Sequence, residues 1–104
     1  MKQKTYRGFR DANGTAHVEV NGKPLPLRLE IANHSPTGFE WGYGGSGPAQ
    51  LALAILVDVT GNARQAVREH QKFKFRVIGR LERDREWTMT DHTVREYLKQ
   101  RRAA

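Results

Sequence analysis

Gly38–Val57 reads GFEWGYGGSGPAQLALAILV. An aromatic segment with Phe39, Trp41 and Tyr43 runs through Gly42, Gly44, Gly45 and Gly47 into Pro48, and from there the chain is apolar on nearly every side. Proline is favoured at the first position of a helix, where its missing N–H would have been unpaired anyway. A helix without a polar face is buried on several sides. Pro48–Asp58 is therefore expected to be the central element, with Gly47 or Ser46 as N-cap and Gly61-Asn62 as its end. Ala49, Ala52 and Ala54 permit close approach of a neighbour. The glycines ahead of the helix allow backbone shapes that other residues resist, and Gly44 or Gly45 is the candidate for a positive φ.

Upstream, the pattern is that of strands and turns. Thr5–Arg10 and the alternating Ala16–Val20 are strand candidates around an Asp11–Gly14 turn, and Asn21-Gly22 is a strong hairpin signal. Leu25–Ile31 alternates with Leu25, Leu27, Leu29 and Ile31 on one face, and Pro26 on the other suits an edge strand. Phe39–Tyr43 reads as a short aromatic strand. Downstream, Ala63–His70 is a short helix, and Lys72–Glu82 is expected to be a strand with Phe73, Phe75, Val77 and Leu81 facing inward. Thr90 caps a last helix from Asp91 to about Arg102, whose end charges suit the helix dipole. The expected fold is one α+β domain over residues 1–104: an antiparallel sheet of about four to five strands packed on a central buried helix, plus a C-terminal helix. Leu51, Leu53, Ile55, Leu56, Phe73, Phe75 and Val77 are the expected core.

The 104 residues suffice for one modest core. With no cysteine, disulfides and thiolate metal sites are excluded. The start, MKQKTYRGF, has charge but no apolar run, and Leu51–Val57 falls far short of the roughly 20 residues of a membrane span. A cytoplasmic protein with no membrane association is expected. The net charge of +7 is uneven. Residues 1–63 carry six Lys/Arg against five Asp/Glu, and residues 64–104 carry twelve against six. Such a basic half is the footprint of a polyanion binder, although a solvated surface gives the same count.

Several known chemistries are tested by the glycine run and fail. Gly42-Tyr43-Gly44-Gly45-Ser46-Gly47 has the spacing of a dinucleotide fingerprint, yet the preceding strands look like hairpins and no acidic residue follows about 20 positions on. A phosphate-binding Walker loop needs Lys and Ser or Thr where Pro48 and Ala49 stand. A nucleophile elbow around Ser46 needs glycine where Pro48 stands. What remains is a helix N-terminus with free N–H groups, suited to an anion or a partner's backbone, or simply to tight packing. Glu40 is open to a general-base role or to an N–H or Arg partner, and Asp58 is expected to interact locally. The four histidines have no i,i+4 pair, so no metal site is expected, and His34 reads as an exposed turn residue.

Tyr6-x-Gly8, the whole run from Gly38 to Leu56, Phe73-Lys74 and Trp87-x-Met89-Thr90 resemble a family of small proteins of unknown function found in bacteria, archaea, phages and other mobile elements. The resemblance covers most of the chain. It implies no activity, and it suggests a mobile-element accessory protein acting on nucleic-acid transactions or against host defence.

Two functional classes follow, neither of them enzymatic and neither needing a cofactor. The first is a nucleic-acid binder that uses Lys72, Lys74, Arg76 and Arg80 from one face of the basic strand, extended by Lys99, Arg101 and Arg102. The second is a protein-binding inhibitor or adaptor that presents Trp41, Tyr43, Gly44, Gly45, Ser46 and Gly47 as a rigid patch, aromatic residues being the usual anchors of interfaces. No catalytic or metal-binding residue is assigned.

Overall fold

The computed structural model describes residues 3–103, with the backbone alone for Arg102 and Ala103. Strands β1 (Thr5–Arg10), β2 (Ala16–Val20), β3 (Lys23–Pro24) and β4 (Trp87–Thr90) form one antiparallel sheet in the order β3-β2-β1-β4. Helices α1 (Ser46–Thr60), α2 (Ala63–Arg76) and α3 (Asp91–Ala103) complete the α+β architecture. No helix among the described residues is long and apolar enough to cross a membrane.

Local chemistry sets the sheet. The Asp11 carboxylate accepts from the N–H groups of Asn13 and Thr15 and closes the β1–β2 turn. Asn21 and Gly22, at φ +50° and +83°, make the tight β2–β3 connection that Asn-Gly favours. In β1, Tyr6 pairs with Val20 on one side and Met89 on the other, which places its ring in the core. The Tyr6 hydroxyl donates to Asp58, which also pairs with Lys4 at 3.2 Å. Asp58 thus ties α1 to β1 over a long stretch of chain, where a local contact was expected. Burial raises the Tyr6 pKa far above its ordinary value.

Helix α1 is buried without a break from Gly47 to Val57. It begins two residues before Pro48, with Gly45 rather than Ser46 or Gly47 as N-cap, and no side chain caps it. Gly61, in the left-handed conformation, donates to Val57 and ends it. Asn62 then caps α2 by accepting from the Gln65 N–H at 3.0 Å.

Three expected strands are not strands. Residues 72–82 continue α2 as far as Arg76 and then make a 3₁₀ turn, Ile78–Arg80. The letters KFKFR alternate, but Ala66, His70 and Phe73 recur at helical spacing and fill one buried face. That face continues the register begun at the Asn62 cap, and Arg, Gln, Glu and Lys between these positions are good helix formers. Phe75 consequently points outward and is 60% exposed, where a core residue was expected. Val77 is only half-buried. Residues 25–31 are irregular because Pro24 and Pro26 bracket Leu25 and deprive the edge of donors. Residues 39–43 have no ladder partner. Their backbone is held instead by the Gly42 N–H donating to Ile78 O at 3.1 Å.

This placement of α2 separates two neighbouring phenylalanines. Phe73→Ala is expected to cost about 3–5 kcal/mol, and Phe75→Ala to stay within about 0.5 kcal/mol of the parent. Chemical denaturation of the two variants checks it, and comparable losses would contradict the helical register.

Candidate functional site

Helix α2 carries Arg64, Arg68, Lys72, Lys74 and Arg76 against a single acid, Glu69. Arg64, Arg68, Lys72 and Arg76 recur every fourth residue, all are exposed, and successive members stand about 6 Å apart along the axis. They form a stripe that winds along the outer side of the helix. Among the described residues only Arg68 of these four has an ion-pair partner, Glu69 at 3.5 Å, and Arg68 is itself largely exposed. Lys72 and Arg76 were expected on one face and are, one helical turn apart. Lys74 is not with them: it is 7% exposed, with Nζ 4.2 Å above the Phe75 ring. Arg80 is exposed in the 3₁₀ turn beyond α2. Arg64 and Arg68 were missed in the sequence, although their spacing of four with Lys72 and Arg76 was there to be read.

A groove runs between α2 and α3. One hollow of about 240 Å³ is lined by Thr60, Gln65, Arg95, Leu98 and Lys99. The next, about 190 Å³, shares Gln65 and Leu98 with it and adds Arg68, Glu69 and Arg101. A third, of about 90 Å³, lies at Arg76, Tyr97, Gln100 and Arg101. The groove thus carries Arg68, Arg76, Arg95, Lys99 and Arg101 along its length, with Arg68 and Arg101 beside Glu69. Arg101 donates to Glu69 at 3.2 Å, which bridges the two helices and leaves Arg101 less charge to offer an outside ligand. The Tyr97 ring packs on Phe73 with centroids 5.1 Å apart, and its buried hydroxyl has no protein partner among the described residues. Burial raises its pKa, opposed by the Arg101 and Arg76 cations. The side chain of Arg102 lies outside the described residues.

The glycine segment divides into a structural half and a surface half. Trp41 is fully buried and meets Trp87 edge to face at 5.6 Å, so it belongs to the core and offers no surface to a partner. Glu40 receives a two-pronged bond from Arg10, at 2.8 and 3.2 Å, and Arg10 also donates to Arg83 O and lies over the Trp41 ring. This pairing holds the Glu40 carboxyl below its usual range. Glu40 is a structural anchor, and its Cβ occupies the space a side chain at Gly47 would need. Tyr43 is 39% exposed under the guanidinium of Arg83, and Gly44 and Ser46 are exposed beside it. Gly45, the N-cap, has φ −107°, and the positive φ falls on Gly42 at +89°.

Two histidines distant in sequence meet. His34 Nε2 and His70 Nε2 are 3.0 Å apart, and His70 Nδ1 is 2.7 Å from Val67 O. A carbonyl only accepts, so His70 carries its proton on Nδ1 and accepts from His34 at Nε2. His34, expected to be an exposed turn residue, is half-buried. Among the described residues no group of three or more His, Cys, Asp or Glu converges as a metal site would require.

Residues 6–100, which include the glycine segment, α2, most of α3 and the Trp41–Trp87 contact, match the family described as a family of unknown function, DUF6166. The chain belongs to that family. No curated protein and no solved structure matches it.

Two predictions follow from this geometry. A Cβ at Gly42 would lie 2.7 Å from Arg83 Cβ and 2.8 Å from Arg83 Cα, besides straining the backbone. Gly42→Ala is expected to cost more than about 1 kcal/mol and Gly44→Ala about 0.5 kcal/mol or less, as measured by denaturation. Burial, with smaller effects from His34 and Lys74, holds the His70 pKa below its ordinary value. The folded chain therefore protonates His70 less readily than the unfolded one. The contribution of His70 is complete above the unfolded value near about 6.5 and is lost as pH falls from there towards the lower folded value. The denaturation midpoint should drop from about pH 7 to about pH 5, and His70→Gln should flatten that drop.

Proposed function

We propose that the protein is a small non-enzymatic nucleic-acid-binding module, acting in the cytoplasm as an accessory factor of a phage or other mobile element. The polyanion lies along the outer side of α2 and meets the α2–α3 groove near Arg76. The observation that carries this reading is the stripe Arg64, Arg68, Lys72 and Arg76, exposed at every fourth position on a helix with one acidic residue. A ladder of cations about 6 Å apart suits a backbone of regularly spaced phosphates better than it suits a single small anion. Lys99 and Arg80 extend the positive surface at its margins. Lys74 has no direct part in it, because its ammonium is turned to the Phe75 ring.

A second reading, a protein partner docking on Tyr43 and Phe75, is favoured by the exposure of these two aromatic rings. The two readings separate in one experiment. Binding of a labelled mixed-sequence oligonucleotide is measured over a salt series for the parent chain and for a variant with Arg64, Arg68, Lys72 and Arg76 all changed to Gln. Each phosphate contact contributes about −0.9 to the slope of log affinity against log salt on duplex DNA and about −0.7 on a single strand. The variant is expected to keep its melting temperature, bind more weakly and flatten the slope by up to about 3.6 units on duplex or about 2.8 on a single strand. Unchanged affinity and slope in a folded variant would remove the nucleic-acid reading from this face and put the protein partner first.

A further inference from the structure

We infer that the nucleic acid held on α2 is single-stranded, with bases stacked on Tyr43 and Phe75. This rests on the nucleic-acid reading of the basic stripe and adds to it an independent feature, the exposed aromatic rings. Among the described residues the exposed large apolar side chains are Tyr43, Val67 and Phe75, and two of these three are aromatic. Phe75 lies on the same side of α2 as the cations. It stands seven residues beyond Arg68 and eleven beyond Arg64, about two and three turns of helix, so the three project in nearly the same direction. A strand whose phosphates follow Arg64, Arg68 and Lys72 therefore meets the Phe75 ring at the end of its path.

The surroundings of the rings suit planar bases. Lys74 Nζ lies 4.2 Å from the Phe75 centroid and Arg83 Cζ 4.8 Å from that of Tyr43, so each ring already has a cation against it. Glycine keeps the neighbourhood bare. A Cβ at Gly44 would come within 3.2 Å of Phe75 Cε1, and one at Gly45 would run into the Tyr43 ring. Gly79 brings the backbones that carry the rings together, since a Cβ there would lie 3.1 Å from both Lys74 O and Tyr43 O. The two rings are thus carried on backbone segments that are held against each other. Bases in a duplex are stacked on one another and offer only their edges. Unpaired bases offer the faces that such rings accept, and every base has one, so the binding is sequence-tolerant. A protein partner would need an acidic surface to match the stripe and an apolar one to meet the rings, whereas a single strand brings phosphates and base faces together in every nucleotide.

The test compares a fluorescein-labelled mixed-sequence DNA strand, its RNA counterpart, and the DNA annealed to its complement. The variants are Tyr43→Ala with Phe75→Ala, Phe75→Leu, and Phe75→Trp. At matched salt, one or both single strands should bind about tenfold or more tightly than the duplex. The double alanine variant should lose about tenfold or more in single-strand affinity while the salt slope stays unchanged. Phe75→Leu keeps apolar bulk without a flat π-face and should also weaken binding; Phe75→Trp should retain it and show quenching of the new indole. The inference is overturned if duplex binds as tightly as single strand, or if the double alanine variant, with its melting temperature kept, holds single strands as well as the parent. In both cases the nucleic-acid reading of the stripe stands as long as changing Arg64, Arg68, Lys72 and Arg76 to Gln lowers the affinity and flattens the salt slope. Binding of no oligonucleotide by the parent chain overturns both together.

Discussion

The side-chain amide of Gln50 is the contact on which the rest of the architecture depends. It is fully buried in the middle of α1, yet all four of its hydrogen bonds are made. Nε2 donates to Leu27 O and Ala32 O, and Oε1 accepts from the N–H groups of His34 and Ser35. A helix apolar all round must be covered on every side, and here the sheet and α2 leave one side to an irregular segment. Irregular backbone cannot satisfy itself by a ladder, and its buried polar groups must still be paired. Gln50 supplies those partners from the helix being covered. Each such bond adds only about 1 kcal/mol net, but four backbone groups left without partners would cost considerably more.

The consequences spread along the chain from this clasp. With residues 27–35 closed over α1, His34 is brought against His70 of α2, and Phe39 and Trp41 enter the core. Trp41 meets Trp87, and the Trp87 ring in turn lies across Gly8, where any Cβ would collide with it. Arg10 then locks Glu40 and reaches Arg83 O. The acids are largely engaged in such internal tasks: Asp58 with Tyr6 and Lys4, Glu40 with Arg10, Glu86 with Arg7, Glu69 with Arg101. Because the acids pair elsewhere, the stripe on α2 keeps most of its charge. The same division of labour explains how a chain with eleven carboxylates can still offer a strongly positive helix face.

The parts of this fold that are local in origin were legible in the sequence. Asn21-Gly22 fixed its hairpin, the unbroken apolar run from Pro48 marked the central helix, and Thr90 caps α3 by accepting from the Thr93 N–H at 3.2 Å. What failed was period-two reading wherever another constraint overrode it. Leu25–Ile31 alternates, but prolines at 24 and 26 and a positive φ at Arg28 keep it out of the sheet. Lys72–Arg76 alternates too, but the helix starting at Asn62 had not ended. The His34–His70 and Asp58–Tyr6 pairs left no signature at all, because chain closure rather than spacing creates them. Of the residues singled out in the sequence, Lys72, Arg76, Arg80, Lys99, Tyr43, Gly44 and Ser46 lie at the surface, as a binding role requires. Trp41, Gly47 and Lys74 are buried, which their sequence neighbours do not reveal because burial depends on what the rest of the fold places over them.

The misreading of Phe75 is itself informative. In a strand, Phe73 and Phe75 would share one face; in a helix, two residues span about 200° and the pair must split. The core takes Phe73 and leaves Phe75 outside, 60% exposed at the end of a stripe of four cations that has little acidic cover. Nothing in the helix requires an aromatic ring there, since Gln or Lys at that position would serve α2 equally well and cost less to expose. The alternation KFKFR therefore does not encode a buried strand face. It sets one phenylalanine into the core and a second among the cations, so that a single turn of α2 both anchors the helix and supplies the apolar element of its outer surface.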